Sequence, residues 1–362
     1  MSMGEYVYVL CALFPFFVCF TWLMILVTGW RRSHEHKHVL TLFALLCTVL
    51  YFCHSWFFMV ESGGFTPTDA VYLFSNLSVY PVFYCYILSL VGKIRSKWHI
   101  PAAMIPALVL SVLAAATSGA FAVLLTARIL FAAEVIAVAV FGLMELARFD
   151  REIQNFYSDT EGKSLKSVSV LLICVAVTSL LSSVANIIGR DAFQYSIALF
   201  IPSAVFSAFL FAIFIVGNGI NFYARDFRME EKADAALADV EPEPATLAGS
   251  ALEAKISAVM EEKKLYLIPG IKITDVAMAV GSNRTYVSSA INSAGGMSFA
   301  DYVNSRRVEH AKKLLKDTGT DGESAMSEVA TKSGFASFPS FYRAFVKFTG
   351  KSPSAWLKDS QG

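Results

Sequence analysis

Ile273-Thr-Asp-Val-Ala-Met-Ala-Val-Gly281 and Met326-Ser-Glu-Val-Ala-Thr-Lys-Ser-Gly334 are two copies of one pattern. Thr274 matches Ser327, Asp275 matches Glu328, and Val276-Ala277 match Val329-Ala330, at an offset of 53 residues. Each copy opens with a hydroxyl suited to a helix N-cap and an acid in the first turn. Each closes on a glycine suited to a left-handed turn. Past the glycine the offset becomes 54, and Val287 aligns with Phe341, Ile291 with Phe345, Gly296 with Gly350 and Ser298 with Ser352. A short helix, a glycine turn and a second amphipathic helix make a helix-turn-helix unit, so two such units are expected.

In the second helix of each unit, Val287 and Ile291 are four apart, as are Phe341 and Phe345. That spacing puts each pair on one face, toward a core. The other face should expose Arg284, Thr285, Ser288 and Ser289 in the first unit, and Ser340, Tyr342, Arg343 and Lys347 in the second. Ser282 and Ser337 are placed to cap the two helices, with Pro339 in a first turn. Such a helix lies in a major groove with its N-terminal residues toward base edges. Arginine suits guanine O6 and N7, and hydroxyls reach bases or phosphates. A merely solvated polar face is the alternative, and it does not account for the repetition. Between the units, the apolar Phe299, Val303, Ala311, Leu314 and Leu315 suit one long helix that sets the distance between the two reading helices. From Ala251 onward the chain has 15 Lys+Arg against 11 Asp+Glu. That excess is modest for a nucleic-acid binder, so the repeat carries the reading and the charge does not.

The segment from about Leu252 to Leu357 resembles the AraC/XylS-type DNA-binding domain. The resemblance rests on Gly334-Phe335-Ala-Ser-Phe-Pro-Ser-Phe-Tyr-Arg-Ala-Phe-Val-Lys-Phe-Thr-Gly350, then Ser352-Pro353, and on Asp301-Tyr-Val-Asn-Ser-Arg-Arg-Val-Glu-His-Ala-Lys-Lys-Leu-Leu315. It covers nearly a third of the chain. It implies seven helices, two of them reading adjacent major grooves, and a promoter-binding activator or repressor that meets RNA polymerase. The family's base-contacting positions fall on Arg284, Thr285, Ser288 and Ser289, and on Ser340, Tyr342 and Arg343. Phe338-Pro339 stands where many members have a polar pair, and no base contact is expected there.

Working toward the N-terminus, the composition changes character. The chain of 362 residues is 56% hydrophobic and only 16% charged, with mean hydropathy +0.55. Soluble proteins average roughly 25% charged residues, so a large part of this one is expected in lipid. Residues 1–222 hold 12 of the 30 Lys+Arg. Seven apolar stretches occupy about 6–30, 39–60, 71–92, 102–118, 121–147, 168–189 and 196–222, most of them meeting the ~20 residues that cross a bilayer core. The first is too long and lacks the basic start of a cleaved signal peptide. Arg31, Arg32, Lys37, Lys93, Arg95, Lys97, Arg148, Arg151, Lys163 and Lys166 all fall in alternate connections. The positive-inside rule then puts the N-terminus outside and the C-terminus in the cytoplasm of an inner membrane.

Within these stretches, Glu134 sits near mid-depth, at a cost of at least ~2.5 kcal/mol unless it faces partners or water. It either lines a signal-sensing site or pairs structurally. Arg128, about two turns nearer the outer face, either joins that site or snorkels outward. His54, Asn76 and Asn186 are candidate partners or simple interhelical hydrogen-bonders. Pro15, Pro81, Pro106 and Pro202 are expected to kink their helices. His34 and His38 have a spacing that suits a metal on a helix, but they lie in a basic turn, and no metal is expected. The six cysteines, Cys11, Cys19, Cys47, Cys53, Cys85 and Cys174, all fall in apolar runs and read as packing residues. No catalytic constellation appears, so neither an enzyme nor a cofactor is expected.

Residues 224–250, ARDFRMEEKADAALADVEPEPATLAGS, are acidic and contain Pro242 and Pro244. They read as a tether whose first part could extend the last membrane helix. The expected chain is therefore all-α: a seven-helix transmembrane bundle over 1–222, a linker over 223–250 and a DNA-binding domain over 251–362. The expected partners are double-stranded promoter DNA, the lipid bilayer, a small-molecule or membrane signal, and a second copy in a homodimer. The competing readings are a transporter or channel with an accessory DNA-binding domain, for which no inverted repeat is evident, and a membrane enzyme.

Overall fold

A computed structural model describes residues 3–30, 35–59, 64–94, 98–188, 200–220, 227–233, 249–318 and 323–361. Arg31, Arg32, His34, Arg95, Lys97, Arg190, Pro242 and Pro244 lie outside the described residues, as do the side chains of Cys11, Asn186 and Pro202. The described secondary structure is all-α apart from one isolated bridge between Tyr157 and Lys272. The chain divides into two compact units, one made of Met1–Arg148 with Leu165–Arg225, the other of Phe149–Ser164 with Asp226–Gly362.

The first unit holds α1 (Met3–Thr28), α2 (Glu35–Met59), α3 (Pro67–Leu90), α4 (His99–Ala116), most of α5 (Phe121–Phe156), α6 (Lys166–Ile188) and α7 (Phe200–Gly219). Each of the seven expected apolar stretches thus contains a helix. By length and composition, four of the described helices (α2, α3, α4 and α5) could cross a membrane, and the described parts of the other three are shorter apolar helices. Helix α3 starts where Thr66 and Asp69 cap one another, the Thr66 amide donating to Asp69 Oδ2 at 2.7 Å, with Pro67 in the first turn. Neighbours in sequence pack together from α1 to α4, and α7 returns against α1 and α6. Aromatic contacts join these helices: Phe43 meets Phe83 at 5.0 Å and Phe214 at 5.8 Å, and Trp22 stacks on Phe214 at 6.0 Å. Gly217 admits the closest approach, since a Cβ there would lie 2.6 Å from the Tyr86 hydroxyl. The outer faces are apolar as well. On α4 an exposed stripe runs through Ile105, Leu108, Val109 and Val112, and on α5 one runs through Ile129, Ile136, Val140 and Met144.

The second unit contains a short helix α8 (227–233), then α9 (Gly249–Glu262), α10 (Ile273–Val280), α11 (Arg284–Gly295), α12 (Phe299–Thr318), α13 (Glu323–Lys332), α14 (Phe338–Thr349) and α15 (Pro353–Gln361). The stretch from 249 to 361 has the seven helices that the resemblance implies. The first part of the expected tether does not prolong α7, which ends at Gly219; residues 227–233 form their own helix within this unit. Long helix α12 runs between the two halves of the repeat as expected, burying Phe299, Val303, Ala311 and Leu315. One core gathers Val308, Ala311, Leu315, Met326, Val329, Phe335, Phe341, Phe345 and Leu357. Residues 149–164 complete the unit. Phe149 and Phe156 meet Phe227 edge-on at 5.9 and 5.3 Å, all three rings being buried.

Candidate nucleic-acid interface

The two turns form as the repeat requires. Gly281 ends α10 at φ +64° and Gly334 follows α13 at φ +82°, a left-handed backbone that glycine adopts without strain. The capping expectations need correction. Thr274 and Ser327 lie inside α10 and α13 rather than ahead of them. The start of α10 is held instead by Asp275, whose Oδ2 accepts the Lys272 amide at 2.8 Å. The cap of α11 is Asn283, whose Oδ1 accepts the Tyr286 amide at 2.9 Å, while the Ser282 hydroxyl is buried without a partner. Ser282 misses the role because its backbone continues the glycine turn, its amide donating to Ala277 O at 2.9 Å. Ser337 does cap α14, accepting the Ser340 amide at 3.2 Å.

With these starts fixed, the helix faces follow. Val287 and Ile291, like Phe341 and Phe345, are buried. On α11, Thr285 and Ser289 are exposed, while Arg284 and Ser288 are half-buried. On α14, Tyr342, Arg343 and Lys347 are exposed and Ser340 is half-buried. Phe338 instead packs against the core, 5.9 Å from Phe341. None of the three cations floats free. Arg284 Nη2 donates to Glu231 Oε1 at 3.1 Å and lies over the Phe156 ring. Arg343 pairs with Glu161 at 3.3 Å, and Lys347 with Asp301 at 2.7 Å. Glu161 also accepts from the Ser337 hydroxyl and, at 2.7 Å, from the Ser340 hydroxyl. Those two hydrogen bonds, Ser337 first, and then Arg343 hold the Glu161 carboxyl below the usual range.

The two halves are held together by Arg307, 1% exposed in the middle of α12. Its guanidinium donates to Tyr266 O at 2.6 Å and Ile268 O at 2.9 Å and lies over the Phe335 ring. Burial pulls its pKa down to about 10, so it stays charged at neutral pH. Gly334 rests on the same turn: a Cβ there would stand 2.7 Å from Leu267 Cα. The first half's loop and the second half's glycine turn thus meet at one buried cation.

The family model described as a helix-turn-helix domain matches residues 276–359. This segment is an AraC-type helix-turn-helix domain. An uncharacterized HTH-type transcriptional regulator of Staphylococcus aureus strain MSSA476 is 29% identical to the chain over 105 residues, 29% of this chain and 14% of that protein. The melibiose operon regulatory protein of Escherichia coli K12 is 31% identical over 91 residues, 25% of this chain and 29% of that protein. The chain therefore spans less than a third of either relative's length. No solved structure matches significantly.

Several residues of the AraC-type domain's surroundings escaped the sequence reading. Tyr286, 52% exposed on α11, occupies the place in the repeat that Ser340 holds on α14, and the offset of 54 would have found it. Arg307, Glu161 and Glu231 had no such signal. Of the three residues considered for sensing, Arg128 is exposed on α5 and Glu134 is half-buried. Glu134 Oε2 is shielded without a hydrogen-bond partner, and no ion pair joins it to Arg128 among the described residues. His54 stacks on Tyr72 from α2 to α3. Three clustered metal-ligating side chains do not occur among the described residues.

Proposed function

We propose that this protein is a membrane-anchored, sequence-specific DNA-binding regulator of transcription, a one-component transducer with its AraC-type domain in the cytoplasm. The observation that carries the DNA-binding part is the pair of helices after the glycine turns, α11 and α14, which flank the long helix α12 in sequence and carry Arg284, Thr285, Ser288, Ser289, Ser340, Tyr342, Arg343 and Lys347. Two such helices would read successive major grooves, with arginines to guanine and hydroxyls to bases or phosphates. The anchoring part is supported by the apolar stripes of α4 and α5, which suit hydrocarbon and not water. Seven spans with an outer N-terminus satisfy the placement of Lys and Arg in alternate connections. The bilayer segments would sense a small molecule or a membrane signal, with Glu134 the first side chain to test. A second copy of the chain would raise affinity for paired sites through effective concentration, and a promoter-bound regulator of this type would meet RNA polymerase.

Genome-wide crosslinking of the full-length protein to DNA tests this reading, beside an Arg284→Ala/Arg343→Ala variant. Discrete promoter peaks that vanish in the variant are expected. Absence of peaks under every growth condition would sink the proposal.

A further inference from the structure

Both reading helices of the AraC-type domain carry, on the residues assigned to DNA, a carboxylate from outside the family segment. On α14, Glu161 takes the Ser337 and Ser340 hydroxyls and the Arg343 guanidinium together. On α11, Glu231 takes Arg284. Glu161 and Ser340 are 179 residues apart in sequence, and Glu231 and Arg284 are 53 apart. We infer that Glu161 and Glu231 form an acidic clamp that closes both reading helices to DNA, and that binding requires its release. The inference rests on the reading of Arg284, Ser340 and Arg343 as DNA contacts.

Occupancy, charge and construction all favour such a clamp. The first is occupancy. The donors that Glu161 engages at the start of α14 are those a phosphate or base edge would need, and Arg284 cannot serve Glu231 and guanine in the same fork. The second is charge. A carboxylate fixed at that surface opposes the phosphate backbone, whose attraction supplies most non-specific affinity.

The third is construction. The clamp is seated firmly at its base and loosely at its α14 tip. At the base, the Ser158 amide donates to Ile271 O at 3.1 Å, and Arg307 Nη2 reaches Ser158 Oγ at 3.4 Å. Phe149, Phe156 and Phe227 form a buried aromatic cluster there. The Tyr157 hydroxyl donates to Glu230 Oε2 at 2.6 Å, and Lys272 pairs with Glu230 as well. Arg228 spans Glu152 at 2.6 Å and Glu231 at 3.1 Å, tying the end of α5 to α8. At the α14 tip, Arg343 is 61% and Glu161 39% exposed, so that pair is individually weak and exchanges readily with solvent, whereas at the α11 tip Arg284 and Glu231 are 32% and 25% exposed and hold more firmly. A device anchored in this way can let go without unfolding. The clamp is also wired to the apolar helices by sequence: Glu161 lies on the connection from α5 to α6, and Glu231 on the helix that follows α7. A signal that favours one arrangement of those helices would bias the clamp between two states, which is all that transduction requires.

The test uses full-length protein in lipid nanodiscs and fluorescent random-sequence duplex DNA at low salt, so that no operator need be known. Glu161→Ala/Glu231→Ala should bind about tenfold more tightly than the parent, the gain expected if roughly one unsignalled molecule in ten is open. Glu161→Ala alone should move in the same direction by less, and it decides the matter if the double variant loses amide protection in α12. Hydrogen exchange in residues 157–164 of the parent should rise when DNA is added. Affinity equal to or below the parent's in the clamp variants, with binding still lost in Arg284→Ala/Arg343→Ala, would overturn the clamp and leave the DNA-binding reading intact. No binding by any of the proteins would overturn both.

Discussion

The two helix-turn-helix units share a sequence pattern but are not held in the same way. In the first, α11 buries small aliphatic side chains, Val287, Ala290 and Ile291. In the second, α14 buries Phe341 and Phe345, which stack edge-on at 5.5 Å with Phe335 and Trp356 beside them. The turns differ too. A Cβ on Gly281 would meet nothing within 4 Å, whereas one on Gly334 would strike the backbone of Leu267 at 2.7 Å. Repetition in sequence therefore conserves the path of the chain and leaves the source of its stability free to vary. The first unit depends on conformation at its glycine, and the second on conformation and space together.

The largest expected effect comes from emptying the aromatic core. Phe345→Ala should destabilise the second unit by about 3–5 kcal/mol, against nearer ~1 for Ile291→Val in the first. Hydrogen exchange in the full-length protein reads each unit separately, and equal losses would erase the contrast. Next come the glycines. Gly334→Ala should cost on the order of 3 kcal/mol, combining left-handed strain with overpacking against Leu267, whereas Gly281→Ala should cost only the strain, roughly 1–2 kcal/mol. If the two substitutions prove alike in thermal unfolding, the steric half of the comparison is wrong.

On DNA, the comparison becomes one of position. Arg284→Ala and Arg343→Ala should each relax preference at a different base step by about 1–3 kcal/mol. The two affected steps should lie about one helical turn apart, or roughly 10 base pairs, as expected for helices in successive grooves. Selection from randomised duplexes reads both at once. Loss at the same step in both variants would mean that the two helices do not read separate sites.

Much of this was legible because it is local. Four-residue spacing placed Val287 with Ile291 and Phe341 with Phe345, and the glycine positions located both turns. The α12 rod could be read from its apolar periodicity. What could not be read is non-local or depends on the last degree of turn geometry. In sequence, Arg306-Arg307 looks like two surface cations, yet one turn of α12 points Arg307 into a bed of carbonyls contributed by residues about 40 positions earlier. By its sequence the segment 149–164 is a connection between two apolar stretches. Its aromatic residues belong to the second unit only because Phe227, more than 70 residues later, folds back between them. No periodic pattern encodes the contact of Glu161 with Ser337, which are separated by 176 residues.

The smallest effect discriminates most finely, because it separates neighbouring residues. The sequence reading puts the N-cap of α11 on Ser282, the residue after the glycine, and Asn283 follows it. The structure uses the second. Asn283 has the extended backbone of a cap (φ −101°, ψ 161°) and its Oδ1 takes the Tyr286 amide, whereas the Ser282 hydroxyl is enclosed and unbonded. Asn283→Ala should therefore cost about 1 kcal/mol. Ser282→Ala removes a buried polar group that satisfies nothing, and it should be neutral or slightly stabilising. Thermal unfolding of the two variants side by side decides the point. A loss at Ser282 with none at Asn283 would shift the start of α11 by one residue while leaving its exposed face where the burial of Val287 and Ile291 fixes it. Arg284 would then be the second residue of the helix and not the first, so its hold on the groove would have to be rebuilt from the cap while the reading face stays the same.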